Sequence, residues 1–239
     1  MAGQYGPKLI TSGLTLYLNA GDKNSYRGTG TIWRDLAQGL VFNSQGTQTP
    51  FVTVNNVSCF DFNASGYWQC SVGYQNVDLA GDCTVIFWYY HQATSVRGTI
   101  FQKNGTVYFP YQQELAVSVE VYDAFTYYSR YSATGVGYDK GDTSANTINS
   151  WNMMALKMST GKTTTARTGF YSKNGAPWTA YYTSNTSTAI VAAADILVGS
   201  GYAGAMPIGY ISAVLCYNRM LDDSEIKQNY NCMESQYRL

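Results

Sequence analysis

Hydrolysis of a glycosidic bond needs two carboxyl groups about 5–9.5 Å apart. A β-strand supplies them most simply when acids alternate along one face, as in Glu-x-Asp-x-Glu. No such triplet occurs in the 239 residues. Glu114 and Glu120 would share a face of a continuous strand, but at ~3.3 Å per residue they would stand ~20 Å apart. Glu120 and Asp123 are an odd number of positions apart and would face opposite ways. A serine triad needs a histidine within reach of its nucleophile. The single histidine, His91, closes an aromatic run, and Gly199-Ser200-Gly201 lacks the Gly-x-Ser-x-Gly elbow. Gly161-Lys162-Thr163 has the tail of a phosphate loop, but the position of its leading glycine is Leu156. On these grounds the chain is expected not to be an enzyme, with a glycoside hydrolase a distant alternative.

Metal chemistry finds little support. The five cysteines, Cys59, Cys70, Cys83, Cys216 and Cys232, include no Cys-x-x-Cys pair, so zinc spacing is absent. They read as small buried hydrophobes; a cross-strand disulfide such as Cys59–Cys70 stays open. Asp22, Asp35, Asp139 and Asp142 are loop carboxylates that could ligate Ca²⁺, but their spacing marks no known calcium loop. No cofactor is expected. Asn56-Val57-Ser58, Asn63-Ala64-Ser65, Asn104-Gly105-Thr106 and Asn185-Thr186-Ser187 match the N-glycosylation triplet, which an Asn-, Ser- and Thr-rich chain produces by chance.

Binding is better served. Aromatic residues make up 15% of the chain and 22 are Tyr. A tyrosine ring stacks on the C–H face of a sugar or on a neighbouring subunit while its hydroxyl bonds to polar groups. Tyr122, Tyr127, Tyr128, Arg130, Tyr131 and Tyr138 concentrate in one Ser- and Gly-rich segment, the composition of an adaptable contact surface. Trp178, Tyr181 and Tyr182 form a second group. Charged residues are only 13% and the net charge is zero, which argues against nucleic acid and against a polybasic membrane anchor. No stretch approaches ~20 apolar residues, and Met1 to Leu18 lacks a charged start followed by an apolar run. The protein is therefore expected to be made in a cytoplasm and to cross no membrane by a leader.

The elements that must position these residues follow a period of two. Leu14, Leu16 and Leu18 alternate with Thr15 and Tyr17. Thr84 to Tyr90 is a continuous aromatic and β-branched run, as in a strand buried on both faces. Leu115 to Tyr122, Trp151 to Lys157, Gly169 to Ser172, Ile196 to Val198 and Tyr210 to Tyr217 read as further strands. Asn104-Gly105, Asp139 to Asp142, Gly161-Lys162 and Asn174-Gly175 punctuate them. Ser159 to Arg167 reads as a hairpin tip, and Phe125 to Thr147 as an extended surface loop. Near the end, Asp222 and Glu225 make a capping-box start. Ile226, Tyr230 and Met233 then fall on one helix face, predicted to pack on an edge or end of the sheets. The fold class is all-β: a two-sheet antiparallel jelly-roll sandwich with one short C-terminal helix, a single domain over 1–239.

Three segments carry a resemblance. The first runs Leu16-Tyr17-Leu18-Asn19-Ala20-Gly21-Asp22-Lys23-Asn24-Ser25-Tyr26, then Gly28 to Leu36. The second joins Trp151 to Lys157 with Phe170-Tyr171-Ser172-Lys173-Asn174-Gly175. The third runs Ile208 to Leu221, then Ser224 to Asn231. Together they resemble the concanavalin-A-like lectin/glucanase (laminin-G-like) jelly-roll domains found in structural proteins of marine phages and large DNA viruses. Gln38-Gly39-Leu40 departs from the Gly-Asn-rich loop that relatives often carry there. The resemblance implies a virion structural protein, a capsid decoration, minor capsid or fibre or tail component, present in many copies or as a homo-oligomer. Its partners would be capsid or tail subunits and, in a lectin-like protein, glycans; its location would be the virion. The alternative is a sugar-binding adhesin or receptor-binding lectin.

Overall fold

The computed structural model describes residues 7–63, 66–79, 81–92, 98–104, 113–119, 125–129, 139–142, 149–159, 167–184, 195–199 and 209–237. In chain order the strands begin β1 (Leu14–Asn19), β2 (Ile32–Arg34), β3 (Val41–Gly46), β4 (Phe51–Val54), β5 (Val57–Asp61), β6 (Gly66–Cys70), β7 (Cys83–His91) and β8 (Gly98–Asn104). They continue β9 (Gln113–Val119), β10 (Phe125–Ser129), β11 (Asp139–Asp142), β12 (Trp151–Ser159), β13 (Arg167–Lys173), β14 (Thr179–Ser184), β15 (Ile196–Val198) and β16 (Gly209–Tyr217). Helix α1 spans Asp223–Glu234. Sheet I has the order β14-β13-β12-β7-β16-β5-β4, with β1 also paired to β16. Sheet II has the order β11-β10-β9-β8-β15-β6-β3-β2. All pairings are antiparallel. The expected jelly-roll sandwich is the fold.

The alternation of strand side chains sorts the core into two layers. Along β7, Val85, Phe87 and Tyr89 face sheet II, while Ile86, Trp88 and Tyr90 face away from it. β12 divides likewise, with Met154, Leu156 and Met158 inward and Trp151, Met153 and Ala155 outward. In β16 a bulge between Ile211 and Ala213 resets the phase, so Ile211 and Val214 both reach the inner layer. Sheet II closes that layer with Trp33, Phe42, Trp68, Phe101, Ile196 and Val198. Phe60 sits at its aromatic centre, 4.7 Å from Trp33 and 4.8 Å from Trp68 between ring centroids. Each such side chain, fully buried, stabilises the fold by about 1.5–3 kcal/mol.

The outer layer of sheet I is covered by α1, which therefore lies on a sheet face and not at an edge or end as predicted. The reason is visible in β7: its outward Ile86 and Trp88 need a cover as much as its inward residues do. Ile226 and Met233 are buried there. Trp88, 2% exposed, stacks on Tyr237 at 3.8 Å and on Tyr230 at 5.8 Å. The predicted capping box is present: Asp222 Oδ1 accepts from the Glu225 amide at 2.9 Å, and Glu225 Oε2 accepts from the Asp222 amide at 3.1 Å. Arg219 donates to both Glu225 oxygens, at 2.8 and 2.6 Å. The Asn174-Gly175 turn, with φ of 51° and 70°, also abuts the helix. A Cβ on Gly175 would lie 2.7 Å from Tyr230 Cβ.

Two expectations are corrected, and the pairing of the cysteines, left open by the sequence, is decided. Phe125 to Thr147 is not all loop, because 125–129 and 139–142 pair as β10 and β11. Asp139 to Asp142, read as a turn, is the edge strand of sheet II. Phe, Thr and Tyr favour strands, and an edge strand tolerates charge, so the polar composition misled. All five cysteines are free. Cys59 belongs to the outer layer of sheet I and Cys70 to the inter-sheet core, so they cannot bridge. Burial pushes the Cys59 thiol up to about 12.

Candidate functional site

Sheet II presents a cross-strand row on its outer face in which the amides of Asn43, Gln69 and Gln102 are interspersed with the apolar Ile32 and Leu197. Strand register sets Ile32 opposite Asn43, Asn43 opposite Gln69, Gln69 opposite Leu197, and Leu197 opposite Gln102. The ladder then passes through the backbone positions of Ala116, Tyr128 and Lys140. The neighbours of this row in each strand, Trp33, Phe42, Trp68, Ile196 and Phe101, face the core, and that fixes the row outward. Gln45 and Tyr67, also paired, extend it. Asn43 is exposed, Gln45, Tyr67, Gln69 and Leu197 are half-buried, and Gln102 is buried. Asp195 Oδ2 accepts from Gln69 Nε2 at 2.6 Å and so orients that amide.

Side-chain amides both donate and accept, and a tyrosine ring adds an apolar face with a polar tip. Three accessible amides, Asn43, Gln45 and Gln69, with Tyr67 on the same sheet face, therefore match a ligand made of hydroxyls and C–H faces, while Gln102 is 6% exposed and not open to it. Two depressions border the row. One, of about 460 Å³, lies against β2, between the 23–27 segment and Thr31, Ile32 and Arg34. The other, of about 320 Å³, includes Leu40, Val41, Asn43 and Val72, which is 83% exposed.

The β1–β2 loop that frames the larger depression is tied down from within. Asp22 O accepts from the amides of Ser25 and Tyr26, at 2.9 and 2.7 Å. The Arg34 amide donates to Ser25 O at 2.8 Å, and Ser25 Oγ donates to Arg34 O at 2.6 Å. Tyr26 is buried against Phe51 and Phe60, with centroids 4.9 and 4.8 Å away. Its hydroxyl and Gln48 Nε2 both donate to Gly30 O, at 3.0 and 2.8 Å.

Of the predicted contact residues, Tyr122, Arg130, Tyr131 and Tyr138 lie outside the described residues. Tyr127 and Tyr128 are consecutive on β10, and the backbone of Tyr128 falls in the cross-strand row. Tyr181 and Tyr182 are on β14 at the far edge of sheet I, and Trp178, just before them, lies 4.5 Å from Lys157 Nζ by ring centroid. The two groups thus belong to different sheets. Asn43, Tyr67, Gln69, Gln102 and Asp195 were missed. The signal that could have found them is the alternation in Gly66-Tyr67-Trp68-Gln69-Cys70 and Val41-Phe42-Asn43, where polar residues flank a core aromatic.

The candidate metal and catalytic residues have other occupations. Asp35 is buried, and its oxygens accept from the amides of Tyr17, Ala37 and Gln38 at 2.7, 2.9 and 2.8 Å. Asp22 Oδ1 accepts from the Asn24 amide at 2.8 Å. Asp139 and Asp142 are the two ends of β11. Among the described residues no three His, Cys, Asp or Glu side chains converge. His91 is the buried last residue of β7, with Nδ1 3.4 Å from the Tyr89 hydroxyl. Glu114 is on β9, while Glu120 and Asp123 lie outside the described residues.

No family model matches the chain, and a search of curated proteins finds no match. Solved structures do match in fold. The Trypanosoma rangeli sialidase in complex with the inhibitor DANA superposes with a TM-score of 0.67 at 15% identity, over 96% of this chain and 34% of that one. The binding domain of botulinum neurotoxin DC in complex with SialylT gives 0.64 at 12% identity, over 92% of this chain and 52% of that one. The serotype D/C VPI 5993 binding domain gives 0.62 at 13%. The chain thus spans about a third of the sialidase chain and half of the toxin domains, and its fold is a lectin-like β-sandwich. These matches correct the expectation that the chain is not an enzyme, because chains with this fold include sialidases. The physical reason is that acids alternating on one strand are only one way to build a site. A sheet scaffold also gathers catalytic groups from several strands and loops.

Proposed function

We propose that this protein binds carbohydrate through the outer face of sheet II, as a structural component of a virus particle. The observation that carries the binding reading is the pair Asn43 and Gln69, joined by Gln45 and Tyr67 and held in register by the adjacent strands β2, β3, β6 and β15. Amides fixed on strands bond hydroxyls with little loss of side-chain entropy, and Tyr67 offers a stacking surface. The complexes of similar fold with sialic acid and SialylT support a sugar as the ligand class. The particle role, as capsid decoration, minor capsid or fibre or tail component, rests on the sequence segments that resemble viral jelly rolls. A free adhesin would use the same face.

The test is a glycan array with the full chain, followed by calorimetric titration of the strongest hit with wild type, Gln69→Ala and Tyr67→Ala. Binding to a defined glycan class, weakened at least tenfold in both variants, is expected. Array silence, or binding indifferent to both substitutions, would sink the assignment of this face. Mass spectrometry of purified particles should find the chain in stoichiometric amounts, and its absence there would leave the adhesin reading.

A further inference from the structure

We infer that the depression beside β2 receives the acid group of an anionic sugar, a carboxylate or a sulfate. This rests on the carbohydrate reading of the adjoining sheet face and adds the charge class of the ligand. The depression is lined by Lys23, Arg27 and Arg34 together with Asn24, Thr31 and Ile32, and no Asp or Glu is among its lining residues. Three cations around about 460 Å³ stand out in a chain with 15 Lys and Arg balanced by 15 Asp and Glu. Lys23, Arg27 and Arg34 are exposed, and none of them forms an ion pair with another described residue.

The nearest acids in sequence are turned to other work. Asp22 caps the Asn24 amide, and Asp35 is buried on three backbone amides. Neither acid pairs directly with the three cations, so their side chains are not held by a salt bridge within the loop. Guanidinium groups grip carboxylate and sulfate oxygens in a bidentate fork. The walls are pre-formed by the paired Ser25–Arg34 bonds and the buried Tyr26 anchor, so little ordering opposes binding. Ile32, 41% exposed, gives an apolar patch for the sugar C–H face. Ile32 also adjoins the amides of sheet II through its pairing with Asn43. A saccharide whose acidic residue sits in the depression could lay its next residue along the amides.

The full chain is titrated with lactose, sialyllactose, a sulfated lactose and sodium sulfate, at low salt and at 0.5 M NaCl, for wild type, Arg27→Gln, Arg34→Gln and the double variant. At least one charged lactose is expected to bind tenfold or more tighter than lactose. That preference should fall at high salt and vanish in the double variant at an unchanged melting temperature. The sialyl and sulfated arms tell which acid is preferred. Equal affinity for lactose and both charged forms, with loss in Gln69→Ala, would overturn this inference and leave the sheet-face reading standing. Absence of binding to any of the sugars would remove both. A preference that survives in the double variant, or sodium sulfate binding as tightly as the charged sugars, would also overturn it.

Discussion

The two outer faces of the sandwich are built from strands of the same kind and come to opposite ends. On sheet I, β7, β12 and β16 place Ile86, Trp88, Met153, Ala155 and Leu215 outward, and α1 covers them. On sheet II the corresponding outward positions hold Asn43, Gln69 and the buried Gln102 among Ile32 and Leu197, flanked by the cation-lined depression. A sheet face that is apolar must be covered, and one that is amide-rich can meet water or a ligand. The contrast gives one face a packing role and leaves the other as the proposed recognition face. It predicts that substitutions on sheet I will unfold the protein, and that those on sheet II will spare the fold and cost binding.

Trp88→Ala attacks the covered face at its centre, removing a ring stacked against Tyr230 and Tyr237. A loss of about 3–5 kcal/mol is expected, read as a large fall in the denaturant midpoint. Ile226→Ala removes the helix side of the same contact and should cost about 2–5 kcal/mol. If both midpoints stay at the wild-type value, α1 does not cover sheet I and the contrast fails.

Asp222→Ala deletes only the cap and should cost about 1 kcal/mol. The cap also carries a pH signature. Hydrogen bonds from the Ser224 hydroxyl and the Glu225 amide hold the Asp222 carboxyl below its ordinary 3.8. Arg219 holds Glu225 below 4.5. A depressed carboxylate contributes stability that is present above its unfolded value and lost as pH falls through the folded one. Unfolding midpoints should therefore drop below pH 4.5, and less steeply in Asp222→Ala. Equal slopes in the two proteins would show that the acid sensitivity lies elsewhere.

The smallest effect on stability is the sharpest test of the recognition face. Asn43 is exposed, so Asn43→Ala should change stability by no more than about 0.5 kcal/mol while weakening glycan binding. A destabilisation comparable to Ile226→Ala would place Asn43 in the packing and blur the distinction between the faces.

Much of this could be read from residue order alone. The Thr84 to Tyr90 run announced a strand buried on both faces, and Asp222 with Glu225 announced the helix start. Both signals are local, set by side-chain periodicity and by a cap four residues long. Other strands stayed hidden for local reasons too. β10 and β11 are rich in Tyr, Thr, Asp and Lys, and the β4–β5 turn is Asn55-Asn56, with φ of 52° and 61°, of which Asn56 also opens a glycosylation triplet.

What order along the chain could not decide was which strands lie side by side. Asn43, Gln69, Leu197 and Gln102 come from four strands scattered over much of the chain, and only the antiparallel pairing β3-β6-β15-β8 brings them into one row. The same holds for the depression, where Ser25 and Arg34 must clasp before Lys23, Arg27 and Arg34 surround one space. The sequence by itself determined the fold class, the two-sided burial of β7 and the helix cap, because each depends on neighbours a few residues away. The tertiary structure alone decided which side chains share the outer face of sheet II and which sheet the helix covers, because those depend on non-local register, which no local periodicity encodes.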